Sequence, residues 1–206
     1  MAAADHPQIY LITPPVVDLE TFPATLAKVL DANEVACLRL ALAGTDEYAL
    51  GRVADALRAI AHERDVAVVI DRYVALVARH GLDGVHLLDS SRSVRAARKE
   101  LGADAIIGAW CGTSRDAGMS AGEAGADYVS FGPVGVTALG GGTQAEPELF
   151  AWWSDMIEVP VVAEGALDAA LMRTLAPVTD FFAIGDEIWR GDDPAKALGV
   201  LIKAMG

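Results

Sequence analysis

The segment Val66–Ile70 reads VAVVI, five consecutive apolar residues of which four are β-branched. Such a run is typical of a strand buried on both faces, as in a parallel sheet covered by helices. Similar short runs recur along the chain, separated by helical patterns. They are Gln8–Thr13, Glu34–Leu40, Gly84–Leu87, Ala105–Ala109, Asp127–Gly132, Val159–Ala163 and Asp180–Ile184. Eight such units predict a closed (β/α)8 TIM barrel that forms one domain over residues 1–206.

The stretches between these runs have the spacing of helices. The predicted helices are Leu19–Leu30, Glu47–Glu63, Tyr73–His80, Ser93–Leu101, Ala117–Ala124, Pro147–Met156, Asp168–Leu175 and Pro194–Ala204. Asp46 and Ser91 are predicted N-caps, and Gly102 is a predicted helix stop. An open doubly wound sheet would also alternate strand and helix, but PPVVD follows the first run where a dinucleotide fold has its glycine-rich turn.

Composition limits the classes of partner. The net charge of −13 argues against nucleic acid and against an anionic membrane surface, since both attract a positive field. No apolar run approaches the ~20 residues that cross a bilayer. Two cysteines in a chain with a large apolar fraction suggest reduced thiols and a cytoplasmic protein. The sequence leaves open whether the chain forms a homo-oligomer.

In a TIM barrel, functional residues follow the strands at their carboxyl ends. We therefore expect a small-molecule site at that mouth. Arg39 lies inside an apolar run, where it would meet either a ligand anion or a barrel acid. Asp71 either holds a metal ion, positions a substrate or caps the next helix, and His86 is either a core residue or a catalyst. Trp110 would form the wall of a pocket.

The later loops add acids and glycines. Gly132–Gly142 (GPVGVTALGGG), which includes Thr137 and Gly140, either approaches a phosphate, forms a lid or is a long turn. Glu164 and Gly165 follow the seventh run. Gly185, Asp186 and Glu187 follow the eighth run. With Asp71 and Asp89, these acids predict a mouth that suits a metal ion or an amine. The arginines and lysine at positions 92, 95, 98 and 99 predict either a solvated helix face or an anion site.

Several motifs together resemble the thiamine-phosphate synthase family, which includes thiazole tautomerases. The resemblance runs from Tyr10 to about Trp189. The opening YLIT is similar to the family's first strand. The other matching segments are VVIDR (Val68–Arg72), GLDGVHLLDSS (Gly81–Ser91), AGADYVSFGPVGVT (Ala124–Thr137) and VPVVAEGAL (Val159–Leu167).

The resemblance implies a TIM barrel that joins hydroxymethylpyrimidine diphosphate to a thiazole phosphate and releases pyrophosphate. It implies Mg²⁺ held by Asp71, and by Asp89 if its loop shifts by one position. Arg39, Trp110, Thr137, Gly140, Gly165 and Asp186 are the implied substrate-binding positions, and Arg39 and Glu164 the candidate catalytic ones. Two lysines of the family pattern are missing, one of them replaced by Gly140.

Two other functions remain open from the residues. The first is a non-catalytic or regulatory protein that binds a small cationic ligand in the acidic mouth, with Trp110 stacked on it. The second is a different acid/base enzyme on the same barrel, using Asp71, Glu164 or Asp186.

Overall fold

The computed structural model describes residues 6–137 and 142–205. Eight parallel strands close into a barrel in the order β1 to β8, each paired with its sequence neighbours, and β8 pairs with β1. The strands are β1 Gln8–Ile12, β2 Cys37–Leu40, β3 Ala67–Asp71, β4 Gly84–Leu87, β5 Ile106–Trp110, β6 Tyr128–Phe131, β7 Val161–Glu164 and β8 Phe181–Ile184. The predicted TIM barrel is confirmed.

Helices lie between the strands and cover the barrel. They are α1 Phe22–Ala32, α2 Glu47–His62, α3 Val74–His80, α4 Val94–Leu101, α5 Arg115–Ala124, α6 Pro147–Met156, α7 Ala169–Leu175, α8 Asp186–Trp189 and α9 Pro194–Ile202. The sequence pattern missed the four-residue α8 and the 3₁₀ turn Ala176–Val178. No helix in the described part of the chain is long and apolar enough to cross a membrane.

Two of the three predicted helix signals are confirmed. The Asp46 side chain accepts a hydrogen bond from the Tyr48 backbone at the start of α2, and Gly102 ends α4. The Ser91 prediction is wrong, because α4 begins later and Ser93 stands at its N-cap position without a capping bond. The Ser93 hydroxyl instead donates to Asp89 at 2.6 Å.

The strands alternate between two cores because successive side chains point to opposite faces. Outward residues such as Leu38 and Val129 join the large core under the helices. Inward residues, among them Tyr10, Val69 and Tyr128, fill the barrel itself. The register of these inward positions decides which polar side chains meet at the mouth.

Of the four basic residues at positions 92, 95, 98 and 99, three are exposed as predicted for a solvated face, whereas Arg98 on α4 is half-buried. Its guanidinium donates to the carbonyl oxygens of Gly102, Ala103, Ala105 and Gly125, and to the Asp127 carboxylate at 2.5 Å. It therefore joins the segment before β5 to the segment before β6. Arg95 on the same helix is exposed and makes no contact of this kind.

We expect Arg98→Ala to lower the free energy of unfolding by about 2 kcal/mol, because several hydrogen bonds to carbonyl groups and one to a carboxylate are lost together. Urea denaturation of the variant and of Arg95→Ala, a matched control, tests this. Equal loss in the two variants would contradict the role given to Arg98.

Candidate functional site

A buried ion cluster lies at the carboxyl ends of β2, β3 and β7. Arg39 Nε donates to Asp71 Oδ1 at 2.6 Å, and Arg39 Nη2 reaches Asp71 Oδ2 at 3.4 Å. Arg39 Nη1 donates to Glu164 Oε2 at 2.9 Å. The Ser130 hydroxyl donates to the same Glu164 oxygen at 2.6 Å. The structure therefore resolves the choice for Arg39, which is paired with two barrel acids.

The cluster carries one more negative charge than positive charge. Burial alone would lower the pKa of the Arg39 guanidinium, but the Glu164 and Asp71 carboxylates outweigh it and raise that pKa well above its usual value. Burial raises the pKa of the Asp71 carboxyl, and the pairing with Arg39 offsets only part of this effect. One arginine facing two carboxylates leaves a net charge of about −1.

A cavity of about 500 Å³ opens beside this cluster. Its walls include Arg39, Glu164 and Trp110, together with Leu88, Gly112, Thr113 and Gly132. Trp110, predicted to form the wall of a pocket, is thus among the residues that line this cavity. The volume is that of a small-molecule site, and its walls combine an aromatic face, an aliphatic side chain and a charged edge.

Gly132 allows Trp110 to occupy this position. A Cβ atom at Gly132 would lie 2.2 Å from the Glu164 carbonyl oxygen and 3.2 Å from the Trp110 ring. Any larger residue would therefore push apart the end of β7 and the tryptophan wall.

The barrel core next to the cluster holds a short polar chain. The hydroxyl groups of Tyr10 and Tyr128 lie 2.6 Å apart, and the Tyr128 hydroxyl lies 2.9 Å from His86 Nδ1. His86 Nε2 is buried and has no hydrogen-bond partner in the described part of the chain. Burial, together with the charge of Arg39, lowers the pKa of His86 well below its usual value, so the imidazole is neutral. His86 is thus a core residue, with only one ring nitrogen paired.

The loops after β7 and β8 are joined by Glu187. Its Oε1 accepts from the Leu167 backbone N–H at 3.1 Å, and its Oε2 accepts from the Gly185 backbone N–H at 2.7 Å. Gly165 has a φ of +95°, and its neighbour Pro133 lies within 2.9 Å of the place of a Cβ. Asp186 is exposed and pairs with Arg190 at 2.5 Å.

The structure brings together only some of the residues that the sequence singled out. Arg39, Asp71, Glu164 and Trp110 surround one cavity or touch its wall. Gly165 and Asp186 lie on the neighbouring loops, and Asp89 is exposed. Thr137 is half-buried at the end of a described segment, whereas Gly140 lies outside the described residues.

Sequence reasoning missed Ser130 and left Glu187 without a specific role. Ser130 is fully buried in β6, two residues after the inward-facing Tyr128. The alternation of a strand therefore gives a signal for Ser130, since residues two apart face the same side. No comparable signal in the sequence pairs Glu187 with Leu167.

The candidate magnesium ligands Asp71 and Asp89 already have hydrogen-bond partners. Both oxygens of Asp71 accept hydrogen bonds from Arg39, and Asp89 accepts one from Ser93. No group of three His, Cys, Asp or Glu side chains in the described segments is placed to hold a metal ion. Magnesium is commonly bound by one or two carboxylates together with phosphate oxygens of a substrate, so a group of three protein ligands is not required.

Comparisons with known proteins agree with one another. A family model described as thiamine monophosphate synthase matches residues 9–183. The chain is 42% identical over 203 residues to the thiamine-phosphate synthase of Rhodospirillum centenum, covering 96% of this chain and 97% of that protein. It is 38% identical to the protein of the same name from Erythrobacter litoralis, covering 95% and 94% of the two chains.

The solved structures add evidence for the fold. Thiamine phosphate pyrophosphorylase from Pyrococcus furiosus superposes with a TM-score of 0.80 at 20% identity, covering 97% of each chain. At that identity the likeness concerns the barrel and not its chemistry.

We expect Mg²⁺ alone to give no saturable heat in calorimetric titration at millimolar concentration, because Arg39 already satisfies Asp71. Asp89→Asn should leave the titration unchanged. Saturable binding that Asp71→Asn abolishes would show that the aspartate releases Arg39 in favour of the metal.

Arg39→Met should lower the free energy of unfolding by about 3–5 kcal/mol near neutral pH, because it leaves buried carboxylates without their cation. Without the guanidinium the pKa of Asp71 rises further above the unfolded value of about 3.9. The folded variant then binds protons at a higher pH than the unfolded chain, so its deficit shrinks as the pH falls.

Urea denaturation at about pH 8 and about pH 5 measures this difference between variant and parent. Arg95→Met, on an exposed helix face, is the matched control. A deficit of equal size at both pH values would mean that the protonation of Asp71 is not linked to folding.

Proposed function

Because the chain belongs to the thiamine monophosphate synthase family, we propose that it joins a hydroxymethylpyrimidine diphosphate to a thiazole and releases pyrophosphate. The observation that carries the proposal is the similarity to relatives named thiamine-phosphate synthase, which extends over almost the whole of both chains. The cavity beside Arg39 and Glu164, at the mouth of the barrel, is where the reaction would take place.

The charge of the site supports this reaction. When the diphosphate leaves, the pyrimidine methylene group becomes carbocation-like before the thiazole nitrogen captures it. A fixed negative charge beside that carbon stabilises the developing positive charge. The cluster of Arg39, Asp71 and Glu164 supplies such a charge at the cavity wall, in a geometry fixed before substrate arrives.

In this proposal Glu164 acts directly on the substrate. Its Oε2 accepts both hydrogen bonds that described residues make to the carboxylate. Its Oε1 accepts no hydrogen bond from the described residues, and Glu164 is one of the residues that line the cavity. This oxygen would receive an N–H group of the pyrimidine, whose ring would stack on Trp110.

The pairing of Arg39 with two carboxylates supports a second candidate function. In it, the protein binds a heterocyclic ligand without turnover. Arg39 is the one cationic side chain among the described residues that line the cavity, and it is shared by two carboxylates. A diphosphate therefore gains less from it than from an unpaired cation. Binding of the pyrimidine without release of pyrophosphate would favour this candidate.

The test is turnover by the purified chain with hydroxymethylpyrimidine diphosphate and a thiazole, with and without magnesium. Thiazole phosphate and the thiazole with a free hydroxyl group are supplied in separate reactions. Release of pyrophosphate together with a coupled product, identified by mass spectrometry, is the expected result. No coupled product with either acceptor would overturn the proposal.

Glu164→Gln should lower kcat by about 10- to 100-fold, because it removes the excess negative charge that stabilises the transition state. Glu20→Gln, which removes one exposed carboxylate from the same end of the barrel, is the matched control and should keep the parent rate. An unchanged kcat in Glu164→Gln would exclude a role for its charge in the chemical step.

A further inference from the structure

Glu187 occupies the place where a TIM barrel commonly holds a phosphate. In many such barrels, backbone N–H groups of the loops after the seventh and eighth strands bind the phosphate oxygens. In this chain two N–H groups of those loops, at Leu167 and Gly185, donate instead to the two oxygens of the Glu187 carboxylate. The side chain therefore satisfies an anion position from within the chain.

The surrounding charge also opposes a phosphate group at this position. Residues 164–168 and 185–187 include Glu164, Asp168, Asp186 and Glu187 but no lysine or arginine. The nearest cation along the chain, Arg190, pairs with Asp186. A phosphate dianion at this side of the mouth would meet carboxylates and no unpaired cation of these two loops.

The two hydrogen bonds of Glu187 also have a structural role, because they latch the loop after β7 to the loop after β8. These bonds also bear on recognition, because they occupy two of the backbone donors in the loops after β7 and β8. A ligand phosphate could reach Leu167 N and Gly185 N only after the carboxylate had left them, and the carboxylate would then lose two charge-assisted bonds.

We propose that Glu187 stands in for the phosphate of the acceptor, so that this chain selects a thiazole that carries a free hydroxyl group over the thiazole phosphate. The inference rests on the proposed function and specifies its second substrate. The thiazole nitrogen forms a bond to the pyrimidine methylene carbon, the bond from that carbon to the diphosphate oxygen breaks, and pyrophosphate leaves with the electron pair. The product is then the unphosphorylated thiazolium compound.

The test compares the parent with Glu187→Gln and Glu187→Ala. Glu187→Gln retains one acceptor oxygen and so can keep one of the two hydrogen bonds. It therefore serves as the test variant if Glu187→Ala does not fold. Asp192→Asn removes one exposed carboxylate five residues further along the chain and is the matched control. Thermal unfolding first establishes that each variant is folded.

Calorimetric titration then measures the affinity for inorganic phosphate and for each of the two thiazoles. The parent should bind the free-hydroxyl thiazole at least about tenfold more tightly than the thiazole phosphate, and should give no saturable binding of inorganic phosphate. The Glu187 variants should gain affinity for thiazole phosphate by about tenfold or more and bind inorganic phosphate. Asp192→Asn should behave as the parent does.

Two outcomes would overturn the inference. One is a parent that prefers thiazole phosphate. The other is a set of folded Glu187 variants with unchanged affinity for both phosphate ligands. Failure of the proposed function differs, since neither thiazole would then be coupled to the pyrimidine, while the titration with inorganic phosphate would still report on Glu187.

Discussion

The mouth of this barrel is organised by the single guanidinium of Arg39, which lies between the carboxylates of Asp71 and Glu164. Each of these residues comes from a different strand, so the interaction fixes β2, β3 and β7 relative to one another at their carboxyl ends. Burying any one of these charges alone would be very costly. The three are stable only as a set, with Ser130 satisfying a further acceptor position on Glu164.

This constraint decides how anions and cations can bind. Because Arg39 is already shared by two acids, it is a poor partner for a diphosphate, yet the same sharing leaves negative charge at the cavity wall. In the adjacent loops after β7 and β8, Glu187 occupies backbone donors that could hold a phosphate. Both features favour positive charge on the bound ligand, as in a coupling reaction that passes through a carbocation-like centre.

Apolar runs were sufficient to predict the barrel, because strands buried on both faces leave a continuous signal in the sequence. An arginine inside such a run signalled a buried partner, but Asp71 and Glu164 lie 32 and 125 residues away. Arg39, Asp71 and Glu164 meet only because all three side chains point into the barrel at the carboxyl ends of β2, β3 and β7. No local sequence pattern determines that alignment. Ser91 and Ser93 show a similar limit, since both are good capping residues and the sequence does not tell which of them precedes α4.

The geometry also explains why this position needs arginine and not merely a cation. Arg39 reaches Asp71 through Nε and Glu164 through Nη1, so two edges of one planar group serve two carboxylates. A lysine ammonium is a single compact charge and lacks this fixed fork. The guanidinium therefore holds Glu164 by one oxygen, Oε2. Arg39, which stabilises the barrel, thus also fixes the orientation of the Glu164 carboxylate at the cavity wall.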